Sequence, residues 1–197
     1  MEARAKALRR SLGLEDVPIM DMMTVLCKLK HIYRGFNYSR VADHEMPHEE
    51  AQWDAFDQVI RMRESVFCGM QRGESRARMT VAHEIGHLHL KHEGIRNRSI
   101  TKSISELAVS QVKREEQEAK RFAAVFLAPS HLIDDMTTPA DIARKFNISL
   151  SSAMLRRDEV DKINRRRAGI NRELPPVVID YLREARRRGY KLMTDID

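Results

Sequence analysis

The segment that most limits what this chain can fold into is TVAHEIGHLHLKHEG at residues 80–94, with four histidines and two glutamates in fifteen residues. Its flanks, TVA and LHL, are apolar, so the spacing predicts a helix with one buried side. His83 and His87 are four residues apart and share a helical face, with Cβ atoms about 5–6 Å apart. Two imidazoles placed this way can converge on one Zn²⁺ at about 2.0–2.1 Å per bond. Glu84 projects beside that position, where it can take a proton from water. The pattern is H-E-x-x-H, the signature of zinc-dependent peptide hydrolysis. Gly86 costs about 1 kcal/mol in a helix interior, so close approach of a neighbouring element is expected there. The helix is expected to begin near Ser75 and run to Lys91 or His92, with Gly94 as a left-handed cap. His89 points away from the His83/His87 face and His92 falls near the helix end, so both read as surface or capping residues.

A catalytic zinc needs a third protein ligand and one open position. The acids of the second helix, KREEQEAKRFAAVFLAP, offer Glu115, Glu116 and Glu118. Ala119, Phe122, Ala123 and Phe126 mark its apolar face. Glu115 and Glu116 both lie within a turn of that face, and periodicity does not choose between them.

The remaining pattern predicts an α+β fold, with helices, then strands, then helices. EARAKALRRSLGL reads as a helix stopped at Gly13, and VPIMDMMTVLCKLK as a second helix with Pro18 in its first turn. HIYRGFNY, AQWDAF and VIRMRESVF read as strands, and Gly69 and Gly73 bracket a loop. After a connector, GIRNRSITKS, that has room for a short strand, Ser103 and Glu106 have capping-box spacing ahead of a long helix that stops at Pro129. Thr138, Pro139 and Asp141 form a strong helix start, Asn147 a break, and a further helix follows. Leu174-Pro175-Pro176 marks another break before a basic closing helix. DIARKFNISLSSAMLRR resembles a helix-turn-helix. These features divide the chain into a metal-binding domain at 1–135 and a basic helical subdomain at 136–197.

Between Arg156 and Lys191 twelve Lys and Arg face six Asp and Glu, which accounts for the whole net charge of +6. Such a stretch suits an acidic partner or nucleic acid, or simply solvates a helix surface. Two cysteines without a CxxC pattern exclude a thiolate cage and a disulfide framework. No secretory h-region and no run of about 20 apolar residues is present, so the chain reads as cytoplasmic with no membrane contact.

ARMTVAHEIGHLHLKH followed by EEQEAKRFAAVFLAP resembles the ImmA/IrrE family of metallopeptidases. The similarity covers roughly residues 15–165, and VIRMRESVFCGMQRGESR is similar to the segment that precedes the family's active helix. The resemblance implies a compact zincin-like domain of the gluzincin kind: a small sheet, an HEXXH helix, a facing glutamate helix, and C-terminal helices resembling a helix-turn-helix. It also implies a zinc metallo-endopeptidase with Zn²⁺ held by His83, His87 and Glu116, and Glu84 as general base. Gluzincins add a Tyr or His donor to the oxyanion, for which His131 and Tyr38 are the candidates. The implied substrate is a partner protein, a helix-turn-helix transcriptional repressor, with DNA contact a secondary possibility. The alternative is a non-proteolytic, zinc-stabilised regulator that binds DNA or a partner protein. Lys120 departs from the family pattern. It stands where Asn or Asp often follows the glutamate ligand by four residues, and it cannot accept a hydrogen bond from a metal-bound histidine.

Overall fold

A computed structural model describes residues 1–92, 106–134, 137–169 and 175–190, with side chains from 106 to 109 excepted. Among the described residues the fold is α+β, with eight α-helices and one three-stranded sheet. Two compact units divide at 160/161. The first therefore extends beyond the 135/136 division expected from sequence.

Helix α1, Glu2–Ser11, ends before Gly13, whose φ of 66° suits a residue without Cβ. Helix α2, Met22–Ile32, starts later than the sequence suggested, and Pro18 precedes it. The Asp21 carboxylate accepts from the N–H groups of Met23 and Thr24, and this cap sets the start. The aromatic run after it is strand only from Asn37, because α2 continues to Ile32 and the chain turns at Gly35.

Strands β1 (Asn37–Val41), β2 (Ala51–Asp54) and β3 (Val59–Arg63) lie in the order β1-β3-β2, so β2 is an edge strand. β1 runs parallel to β3, and β2 antiparallel, with Ala51 opposite Met62 and Asp54 opposite Val59. Asp54 closes the β2–β3 turn by accepting from the N–H groups of Phe56 and Asp57 while pairing with Arg61.

The expected strand VIRMRESVF is cut short at Arg63. Helix α3, Glu64–Gln71, follows at once and takes in Gly69, which had been expected to open a loop. Val66, Phe67 and Met70 are buried at helical spacing. The Ser65 N–H is satisfied by the carboxylate of Asp43, 22 residues earlier, a cap that local sequence does not display.

Helices α4 (Ser75–Leu90) and α5 (Glu106–Leu127) pack face to face, and α4 also lies against α3 and β2. Helix α4 ends at Leu90, and Lys91 takes the left-handed position with φ 59°. Gly94, Ser103 and the rest of the expected connector lie outside the described residues.

Helix α6, Pro139–Phe146, begins at the expected start, where Thr138 and Asp141 cap each other reciprocally, and Asn147, φ 50°, follows its last residue. Helix α7, Leu150–Arg167, follows. Ile142, Phe146, Ile148, Ala153 and Val160 join the core cluster of the first unit. Two buried arginines fix this region. Arg78 of α4 donates to the carbonyls of Phe146 and Asn147 at 2.9 and 2.7 Å. Arg156 of α7 donates to the Ala128 carbonyl at 2.9 Å and pairs with Glu2 at 2.8 Å. The second unit holds the end of α7 and helix α8, Pro176–Arg187. Among the described residues no helix is long and apolar enough to cross a membrane.

Candidate metal centre and its cavity

The buried face of α4 carries Val81, Ala82, Ile85 and Leu88 into the core, and this fixes the rotation of the helix. That rotation turns His83 and His87 toward α5. Gly86 lets the helices meet: a Cβ there would lie 3.2 Å from the Ala119 Cα, the Ala119 carbonyl oxygen and the Phe122 ring. The close approach expected from the glycine is present.

Across this contact Glu116 reaches both histidines. Its carboxylate oxygens lie 3.2 Å from His83 Nε2 and 3.4 Å from His87 Nε2, and the two Nε2 atoms are 3.0 Å apart. Four donors at 2.0–2.1 Å around a tetrahedral ion are separated by about 3.3–3.4 Å. The donor set of His83, His87 and Glu116 therefore fits one metal ion. His83 and Glu116 are partly open to solvent, whereas His87 is buried. Hydrogen bonding to His83, with help from His87 and Lys120, holds the Glu116 carboxyl below the ordinary carboxylate range despite its partial burial. The other two candidate acids, Glu115 and Glu118, point elsewhere. Glu115 is buried and accepts from Gln111 at 2.9 Å; Glu118 faces His92.

Glu84 sits beside the donor set at the wall formed by β2. Its Oε2 accepts the Trp53 backbone N–H at 2.7 Å. Burial pushes its carboxyl up to about 7, with the His83 ring and the Trp53 N–H opposing and Glu116 and Glu49 adding to the rise. A cation held by the neighbouring donors would favour its ionised form.

These groups line one cavity of about 550 Å³, together with Glu49, Gln52, Trp53, Met79, Thr80 and Lys120. Edge strand β2 forms one wall and helices α4 and α5 the others. Neither His131 nor Tyr38 belongs to this lining. His131 Nε2 lies 3.2 Å from the Glu15 carbonyl, and Tyr38 lies on β1 under Lys30.

Neither His89 nor His92 is exposed, and of the surface or capping roles expected for them His92 takes the second, in the turn that ends α4. His89 is half-buried, with Nδ1 2.6 Å from the Tyr33 hydroxyl, and burial lowers its pKa. His92 is buried, with Nδ1 3.0 Å from His87 Nδ1 and Nε2 3.4 Å from Glu118 Oε2. Helical spacing missed this contact because the helix has already ended. The His92 N–H bonds to the His87 carbonyl and the Lys91 N–H to that of Leu88, the pairing of a Schellman turn. The turn folds the chain back over His87. The available signal was the histidine itself two residues past the last helical position, not its place on the helical wheel.

Among curated proteins no match is found. Among solved structures the chain is similar to a Mycobacterium tuberculosis transcriptional regulator, with 14% identity and a TM-score of 0.52. The alignment covers 79% of this chain and 46% of that one, so this chain spans about half the length of its structural relative. That similarity speaks to fold. A family model matches the sequence itself over residues 40–156, from the sheet through α4 and α5 into α7, and so includes every group of the cavity described above. With more than half of its length matched, the chain belongs to the IrrE N-terminal-like domain family, the M78 peptidases.

Proposed function

We propose that this chain is a zinc-dependent regulatory endopeptidase that cuts a partner protein. The observation that carries this reading is the convergence of His83, His87 and Glu116 on one point with Glu84 beside it, at the floor of an open cavity. A purely structural metal site would need no such carboxylate. His83, His87 and Glu116 are the proposed ligands. Bound there, Zn²⁺ would acidify a water and polarise a peptide carbonyl.

The chain's own groups supply the rest. Glu84, buried beside the donor set, takes the proton from water and delivers it to the leaving amine. The Trp53 N–H holds one carboxylate oxygen of Glu84 and leaves the other for this exchange. Because that N–H turns toward the site, the outer edge of β2 faces the cavity and can pair with an extended substrate segment. Lys120 lines the cavity as a cation beside Glu116.

The family resemblance points to a helix-turn-helix repressor as substrate. In this chain α6 and α7 follow one another across a short break at Asn147. The exposed large hydrophobic residues at the start of α7 are Leu150, Met154 and Leu155, which suit contact with protein better than with base edges. Arg183 and Arg187 of α8, and Arg188 just after it, pair with Asp180 or Glu184 of that helix, which dilutes the field a nucleic acid would sense. The test is incubation of purified protein, with and without chelator, with the repressor encoded beside its gene. Glu84→Gln should retain zinc and lose cleavage by about 10²–10⁴-fold. Near wild-type cleavage by that variant would remove Glu84 from the mechanism. Full biological activity without cleavage would favour the non-proteolytic regulator.

A further inference from the structure

Lys120 cannot accept a hydrogen bond, and what lies against the buried ring of His87 is a ring nitrogen of His92. His92 Nδ1 lies 3.0 Å from His87 Nδ1, and the far nitrogen of His92 lies 3.4 Å from Glu118 Oε2. The rings of His87 and His92 meet edge to face, 4.9 Å between centroids, and both are buried. Glu118 is half-exposed and anchored from the solvent side by Arg114.

The three groups form a directed series. His87 offers Nε2 to the donor set, so its hydrogen must reside on Nδ1. That N–H can donate only if the facing nitrogen of His92 is bare. His92 then carries its hydrogen on Nε2, the nitrogen turned to the Glu118 carboxylate. A carboxylate accepts and does not donate, so Glu118 fixes the direction of the series. With His92 so fixed, the reverse tautomer of His87 would set two bare nitrogens against each other and would also put a hydrogen on the one that faces the donor set.

The backbone supports this placement at some cost. Lys91, a residue with a Cβ, occupies the left-handed conformation at φ 59° that turns the chain and lays His92 on His87.

From this geometry we infer that His92, backed by Glu118, is a positioning residue that holds His87 in its metal-binding tautomer. The inference rests on the zinc reading above, but its first consequence exists without metal. Groups that accept a hydrogen bond from a ligating histidine change metal affinity by about 10–100-fold.

The experiment compares His92→Leu with His92→Asn. The two side chains are nearly isosteric and both remove the ring, but only Asn keeps an oxygen close to where Nδ1 stood. Long-range ¹H–¹⁵N spectra of the metal-free protein should show His87 as the Nδ1–H tautomer in the wild type and in His92→Asn. In His92→Leu they should show a shift toward Nε2–H. Zinc competition titrations should give His92→Leu a Kd about 10–100-fold above that of His92→Asn. Should the position 92 variants not fold, Glu118→Ala against the wild type poses the same question, with the wild type keeping the acceptor and the tighter binding. Equal Kd values and equal His87 tautomers within the pair that folds would overturn the inference. Absence of zinc binding by the wild type would overturn the zinc reading alone, because the tautomer measurement stands without the metal.

Discussion

Replacing Gly86 with alanine sets two opposed effects against each other at the contact that builds the site. Alanine is favoured over glycine in a helix interior by about 1 kcal/mol, so an exposed Gly→Ala change would stabilise the protein. Here the new Cβ would meet three atoms at 3.2 Å, and two of them belong to the backbone of Ala119. A side chain could rotate away, but backbone cannot, so α5 must move by a few tenths of an ångström. Inserting a methyl group into a packed contact costs about 1–3 kcal/mol. The net expectation is a destabilisation of about 0–2 kcal/mol. Metal affinity should suffer as well. Glu116 lies one turn from Ala119, and ligand distances tolerate only about 0.2 Å of error. If zinc binding must close the gap again against about 1–2 kcal/mol of strain, affinity falls about 5–30-fold. Urea unfolding of the metal-free protein and a zinc competition titration measure the two effects separately. A Gly86→Ala protein that gains the full 1 kcal/mol or so and binds zinc as the wild type does would refute the packing argument.

Three other outcomes are expected. Glu116→Ala should lose zinc binding while Glu115→Ala keeps it, because Glu115 bonds Gln111 and lies off the donor set; zinc titration of the two variants decides, and the opposite result would shift the ligand assignment by one residue. Arg78→Met should cost about 2–4 kcal/mol in urea unfolding, since it strands the Phe146 and Asn147 carbonyls, and a change below about 0.5 kcal/mol would mean that water replaces the guanidinium at no loss. The Glu15 carboxyl is lowered from 4.5 to about 2, chiefly by its hydrogen bond with Arg10. Its stabilising contribution is therefore present above about pH 4.5 and lost as pH falls toward 2, so Glu15→Gln should flatten the acid limb of a stability–pH profile in that window, and unchanged slopes would contradict the shift.

The helix carrying His83, Glu84 and His87 was legible in the sequence because α-helical geometry is local. Spacing of four places two side chains on one face whatever lies around them. Caps made by neighbouring residues were legible for the same reason, as Thr138 with Asp141 shows. The glycine at position 86 announced a close approach without naming what approaches. Periodicity left Glu115 and Glu116 open, and aligning on the family's pattern chose Glu116.

Other features were decided by contacts between residues distant along the chain. Helix α3 begins where it does because Asp43 caps it from 22 residues away, so a hydrophobic run that read as strand became helix. His92 reaches His87 only because a left-handed residue ends α4 and reverses the chain, after which helical spacing no longer predicts direction. The Glu84 carboxyl rises because β2 and the core remove it from water, and strand β2 is 30 residues away in sequence. The sequence by itself determined which donors share a helix; the tertiary structure decided what each faces, because burial and hydrogen bonding across the fold depend on the packing of all the elements together.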